Sequence, residues 1–291
     1  METASTRARP ILSLLDIARA EETQAAMALR QIARESIEVA GGVAGRESDA
    51  RRGESATWPD RAEGIGMSGP VSREEVDRLV AWYAEAGLPA QVRVSAYADA
   101  SLWKHLGDVG FVVQRMEQVL FRPLVTGERF DTAAPAGMVV CEIEHGDDRA
   151  VREVGELTMR CFTPPHVAWV AAGEEPPERE VRLSARGVRR ACAVTLGVYA
   201  EGRLVGTGGI EFSENVLGVT GGLYAAVVDP AFRKQGVQRT LLMGRMAAAV
   251  ARGASVVMVG SDPGGPTERN ARRVGFEAAY TKVMMTRPVR P

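Results

Sequence analysis

The chain has 291 residues, 45% of them apolar and 25% charged, a composition that excludes disordered and collagen-like proteins and a length that admits two domains of ordinary size. Its 36 lysines and arginines almost balance 37 aspartates and glutamates, so no global positive field is offered to a nucleic acid or an anionic membrane. Any anion site has to be local.

The amino-terminal METASTRARPILSLLDIARAEE lacks the apolar core of a secretory signal, and no later run approaches the roughly 18 apolar residues of a membrane span, so the expectation is a cytoplasmic protein without membrane contact. From Ile11 to Ile32 apolar residues recur at three- and four-residue spacing, which predicts a helix or a helix pair. Residues 41–70 are rich in glycine, charge and serine and predict short strands and loops. In SREEVDRLVAWYAEAG, Ser72 is placed to cap a helix, Glu75 to complete a capping box and Gly87 to end it. LPAQVRVSAYAD (88–99) alternates like a strand, and a short helix (100–110) and a second strand (111–124) follow. Residues 125–136, VTGERFDTAAPA, carry little periodicity and read as the boundary between two halves.

In the second half GMVVCEIE predicts a strand and DDRAVREVGELTMRCF a helix. ACAVTLGVYA and RLVGTGGIEF predict two strands joined at Glu201-Gly202, a hairpin signal. GLYAAVV is another strand, GVQRTLLMGRMAAAVARG a helix stopped by Gly253, ASVVMVG a buried strand, TERNARRVG a short helix and FEAAYTKVMMTR a last strand. The class is mixed α/β. The end of each half shares one shape: DASLWKHLGDVGFVVQRMEQVLFRP and PTERNARRVGFEAAYTKVMMTRP both run short helix, Gly-Phe, strand, Arg-Pro, as two related units would.

One stretch stands apart, VVDPAFRKQGVQRTLL (227–242). The strand must stop at Pro230, which cannot donate into a ladder, and a helix starts near Gly236. The first turn of that helix has free backbone N–H groups and the positive end of the dipole, Gly236 allows close approach, and Arg233 and Lys234 add charge, a combination suited to a phosphate. Cys141, Cys161 and Cys192 are odd in number and widely spaced, so they read as buried apolar side chains rather than a disulfide framework or a zinc site. His105 and His145 have no ligand spacing either, so no metal is expected.

The stretch resembles the acyl-CoA-binding segment of the GCN5-related N-acetyltransferases (GNAT). Val228-Asp229-Pro230 matches the strand end and Arg233-Lys234-Gln235-Gly236-Val237-Gln238 the (R/Q)xxGx(G/A) turn, with Gln238 where glycine or alanine is usual. TERNARRVGF resembles the family's later helix, but the usual asparagine falls on Gly264 and the usual tyrosine on Ala271. The resemblance is carried by residues 203–285, extends by element order to about 137, and reaches residues 1–124 only through the shared ending.

It implies two GNAT-like domains, each a twisted mixed, largely antiparallel sheet flanked by helices: a degenerate one at 1–124 without a cofactor motif, a linker at 125–136, and an acyl-CoA-binding one at 137–291. Acetyl-CoA or another acyl-CoA is then the co-substrate, held by Ala226, Val227, Val228, the turn Arg233, Lys234, Gln235, Gly236, Val237 and Gln238, and Asn270. The acceptor is an amine of a small molecule, attacking the thioester directly. Glu211, with Glu214 beside it, is the candidate base, Tyr224 and Tyr280 are candidate acids, and Phe162, His166 and Trp169 are candidate acceptor contacts. A monomer or a homodimer is expected. The competing reading is a catalytically silent acyl-CoA-binding sensor or interaction protein.

Overall fold

The computed structural model describes residues 12–162 and 168–288. The first half runs α1 (Leu14–Ile32), β1 (Glu35–Val39), β2 (Gly42–Arg46), β3 (Ala62–Glu63), α2 (Arg73–Ala84), β4 (Ala90–Ser95), α3 (Ala100–Asp108) and β5 (Val112–Pro123). The second runs β6 (Met138–Glu142), α4 (Asp148–Phe162), α5 (Ala168–Ala171), α6 (Glu178–Val188), β7 (Ala193–Ala200), β8 (Arg203–Asn215), β9 (Gly218–Val228), α7 (Val237–Ala251), β10 (Val256–Ser261), α8 (Pro266–Arg273) and β11 (Glu277–Arg287). No helix among the described residues is long and apolar enough to cross a membrane.

Local chemistry places most of these ends. Ser72 accepts from the Glu75 N–H at 3.2 Å while the Glu75 carboxylate accepts from the Ser72 N–H at 2.8 Å, a complete capping box for α2. Glu201 and Gly202 both have positive φ, as a tight turn between β7 and β8 with the right twist requires. The stretch Leu14–Ile32 folds as one helix rather than two. β1 and α6 arise in stretches where no element is expected from the sequence.

All eleven strands form one sheet in the order β1-β2-β3-β4-β11-β5-β10-β9-β8-β7-β6. The two halves are therefore joined edge to edge, and their last strands are exchanged: β11 lies between β4 and β5, and β5 lies between β11 and β10. The pairs are antiparallel and in matching register, Arg287 with Ala90 on one side and Pro123 with Val256 on the other. The Gly-Phe-strand-Arg-Pro ending common to both halves is thus the pair of strands related by a local twofold at the joint. α4 and α6 cover one face of the second half and α7 the other.

α1 lies across the joint on the face of α6. Its Ile17 and Ala20 pack on Phe121, Val256 and Met258, Ala18 packs on Val119 and Tyr280, and Gln24 reaches Glu211 O at 2.9 Å. Beneath it is a network of buried charges. Lys282 contacts Glu21, Glu22 (3.2 Å) and Glu63 (3.9 Å), and Arg93 bonds Glu63 (3.0 Å) and Glu117. Burial would raise the Glu63 carboxyl, but Arg93, Arg61 and Lys282 together hold it down at about 2.

Glu22 goes the other way: burial pushes its carboxyl up to about 7 against the pull of Lys282. A folded pKa above the unfolded value makes a contribution to stability that is complete below pH about 4.5 and lost as pH rises through about 7. Glu22→Gln keeps an oxygen for the Tyr280 hydroxyl, 2.9 Å away, and removes the titration. Chemical denaturation at about pH 5 and about pH 8 is expected to show that the variant loses less stability over this interval than the wild type, by on the order of 2 kcal/mol. An identical fall in both proteins would refute the assignment.

Candidate active site at the parting of two strands

β9 and β10 run parallel from Thr220 with Val256 to Leu223 with Val259, and no pair follows. The cause is in β9. Its register with β8 slips between Gly209-Tyr224 and Thr207-Val227, so β9 carries an extra residue there, and Ala225 takes φ +47°. The bulge turns the end of β9 away from β10 and opens a gap. On the β8 side the Asp229 N–H still donates to Val205 O at 2.9 Å, so strand alternation leaves the Val228 N–H pointing into the gap.

Two glycines of β8 make room behind the bulge. A Cβ on Gly209 would collide with the Tyr224 ring, and one on Gly208 would lie 3.1 Å from the Arg245 guanidinium carbon. Arg245 is buried, donates to Leu241 O (3.0 Å) and Gly209 O (3.2 Å), and burial lowers it to about 10.

The gap opens into a cavity of about 1200 Å³. Of the ten residues that sequence analysis assigns to the cofactor, Ala226, Val227, Val228, Arg233, Lys234, Gly236, Val237, Gln238 and Asn270 line it. Gln235 is the exception, because its amide turns back to Ala231 O at 3.1 Å. Lys234 (φ +63°) and Gly236 (φ +91°) both sit in the left-handed region, which curls the turn, and Gly236 is the N-cap of α7 with no side chain over the first N–H groups.

The matching place in the first half is closed. There the N-cap of α2 is Ser72, and the capping box occupies the N–H groups that α7 leaves open. That contrast leaves a helix N-terminus open in the second half and filled by its own side chains in the first.

Seven arginines and lysines but only two carboxylates line the cavity. Arg122, Arg129, Arg239, Arg269 and Arg273 are additions to the sequence-assigned set, and the arginine-rich RNARR of α8 is the one signal for them in the sequence. Glu128, Arg129, Phe130 and Asp131, from the segment between the halves, form an outer wall, tied down by Asp131 to Arg239 at 3.0 Å. Gln238 is half-buried and faces the cavity from the first turn of α7. Ala271, where the resemblance would place a tyrosine, is buried in the core with Leu120 and Phe276.

The three candidate proton carriers separate. Tyr224 stands at the bulge, its hydroxyl donating to Gly187 O at 3.1 Å and its ring 5.0 Å from the Arg190 guanidinium. Glu211 is ion-paired with Arg190, and burial raises its carboxyl despite that pair. Tyr280 lies elsewhere, because β10 and β5 intervene between β11 and the gap; its one hydroxyl proton is shared between Glu21 (2.6 Å) and Glu22 (2.9 Å), and burial pushes its pKa well up. Glu214 is exposed on β8. Phe162 lines the cavity, Trp169 is half-buried, and His166 lies outside the described residues. Arg190 and Gly187 come from the α6 region, so their part in the site was invisible without that helix.

Residues 151–276 match the acetyltransferase (GNAT) family. No curated protein matches the chain in sequence. Among solved structures the chain is similar to a GCN5-related N-acetyltransferase from Kribbella flavida, at 16% identity over 94% of this chain and 96% of that one, with a TM-score of 0.61. It is also similar to a tandem GNAT protein from the clavulanic acid biosynthesis pathway, at 14% identity over 98% of this chain and 90% of that one, with a TM-score of 0.59. At these identities the likeness is one of fold, and it extends over both halves.

Proposed function

Because residues 151–276 form a domain of the GNAT acetyltransferase family, we propose that the protein transfers an acetyl group from acetyl-CoA to an amine of a small molecule. The observation that carries this reading is the cavity at the parting of β9 and β10, floored by the open N-terminus of α7 and rimmed by arginines. In it the N–H groups after Gly236 would hold the pyrophosphate, with Arg233 and Lys234 at the rim and Asn270 on the opposite wall. The open edge of Ala226 to Val228 would pair with the pantetheine as an added strand does.

The thioester then lies in the gap, where the Val228 N–H is placed to donate to the developing oxyanion and Tyr224 stands on the far side. A thiolate leaves readily near neutral pH, so the loss of a hydroxyl at Ala271 does not prevent transfer. The division into a half without a cofactor site, a linker at 125–136 and a cofactor-binding half from 137 belongs to the same proposal, as does a cytoplasmic location. A small acceptor is favoured over a protein tail because α1 covers the acceptor face at Gln24 and Glu211.

Calorimetric titration with acetyl-CoA, followed by free-thiol release over a panel of alkylamines, polyamines and amino sugars, tests the reading. Saturable binding and release with at least one amine are expected. Binding with no release on any amine would instead support an acyl-CoA-binding sensor, a reading favoured by Ala271 in place of tyrosine. Absence of binding would refute both.

A further inference from the structure

The strand exchange carries a carboxylate of the first half to the gap of the second. Val119 of β5 pairs with Gly260 of β10, and Gly260 is the first residue beyond the last β9–β10 pair. Glu117, two residues from Val119 and on the same face, leans back over β10: a Cβ on Gly260 would collide with its Oε1. That face is the one of Tyr224 and α1, opposite α7 and the cradle. Arg93 of β4 grips Glu117, yet the side chain keeps 17% exposure, against 1% for Glu63 and 0% for Lys282 in the same network. Glu211 is less well placed. It pairs with Gly222, which pairs with Met258, so it sits where β9 and β10 are still joined.

The first half shows what happens without this arrangement. Superposing Gly110-Phe111 on Gly275-Phe276 also puts Val119 on Met284, and Met284 pairs with Arg93 as Val119 pairs with Gly260. Arg93 therefore stands where Gly260 stands, and it bonds Glu63 at the end of β3. The gap that is open at Gly260 and Tyr224 is bolted by an ion pair in the first half. The same Arg93 holds Glu117 in place for the second.

We propose that Glu117 is the general base of the second half's active site, supplied by the first half through the exchanged strand. The inference rests on the acetyl-transfer reading above. The acceptor arrives as an ammonium, and Glu117 takes one of its protons. The amine nitrogen then forms a bond to the thioester carbon and the carbon–sulfur bond breaks. A second proton from nitrogen goes to the leaving sulfur, which departs as the thiol, and Glu117 returns its proton to water at its exposed edge. The charges facing it are Arg93 from β4, Lys282, its cross-strand partner on β11, and Arg61 just before β3, with Glu63 from β3 and Glu21 and Glu22 from α1 beyond them.

Two variants test the role, with acetyl-CoA affinity as the check on the fold. Glu117→Gln removes the base, and Gly260→Ala displaces its carboxylate without removing it. Thiol release is measured with the alkylamine panel and with hydroxylamine, which is neutral near pH 7 and needs no base to become nucleophilic. Each variant is expected to lose about 100-fold or more in kcat/KM for alkylamines, with unchanged acetyl-CoA affinity and a much smaller loss for hydroxylamine. Wild-type rates with alkylamines, or equal losses for both nucleophiles, would overturn the proposal; should Glu117→Gln also lose acetyl-CoA binding, Gly260→Ala decides. A wild-type protein that releases thiol with no nucleophile overturns the acetyl-transfer reading itself, and this role with it.

Discussion

Gly236→Val is expected to weaken acetyl-CoA binding by about 100-fold or more, close to 3 kcal/mol, while circular dichroism stays near that of the wild type. Two effects combine. The residue has φ +91°, a conformation that a β-branched side chain adopts only under strain of about 1–3 kcal/mol. The turn relieves that strain by moving, and the N–H groups it aims into the cavity move with it. The protein itself leaves room for a Cβ there, since the nearest atom is Pro135 Cγ at 3.6 Å, so the loss reports on the ligand's space rather than on a packed core. Unchanged affinity by calorimetry would remove the turn from the cofactor site.

Lys282→Met should produce the largest loss of stability, about 3–5 kcal/mol in urea unfolding. The ammonium is wholly buried among Glu21, Glu22 and Glu63, whose charges hold its pKa above the ordinary range although burial alone would lower it. Without it those carboxylates face one another in a medium that solvates them poorly. A single variant as stable as the wild type would mean that the network does not hold the joint.

Features that depend on neighbours in sequence were legible in advance. The capping box at Ser72, the Glu201-Gly202 turn and the basic turn at 233–238 are each written in a few adjacent residues whose backbone chemistry leaves little choice. α6 was not, although Val181, Leu183 and Val188 are buried along it, because seven of its flanking and internal positions between Glu178 and Arg190 are charged and mask the period. The order of strands was out of reach for a different reason. The composition of β5 and β11 announces two strands, but not which edge each will join, and the exchange depends on contacts between residues far apart in the chain. Glu117 was hidden for the same reason: nothing near it in sequence points to Gly260.

The exchanged strands also bear on how the chain is made. β4 and β5 are complete early in synthesis, but the strand that lies between them, β11, emerges roughly 150 residues later, on the order of ten seconds behind at ribosomal speeds. Until then one edge of β4 is unpaired, and β5, whose other neighbour β10 also belongs to the second half, has no strand partner on either edge until β10 emerges. The first half is thus a client awaiting β11, and a nascent chain stalled before Glu277 would present the unpaired edges to whatever chaperone or neighbouring chain it meets.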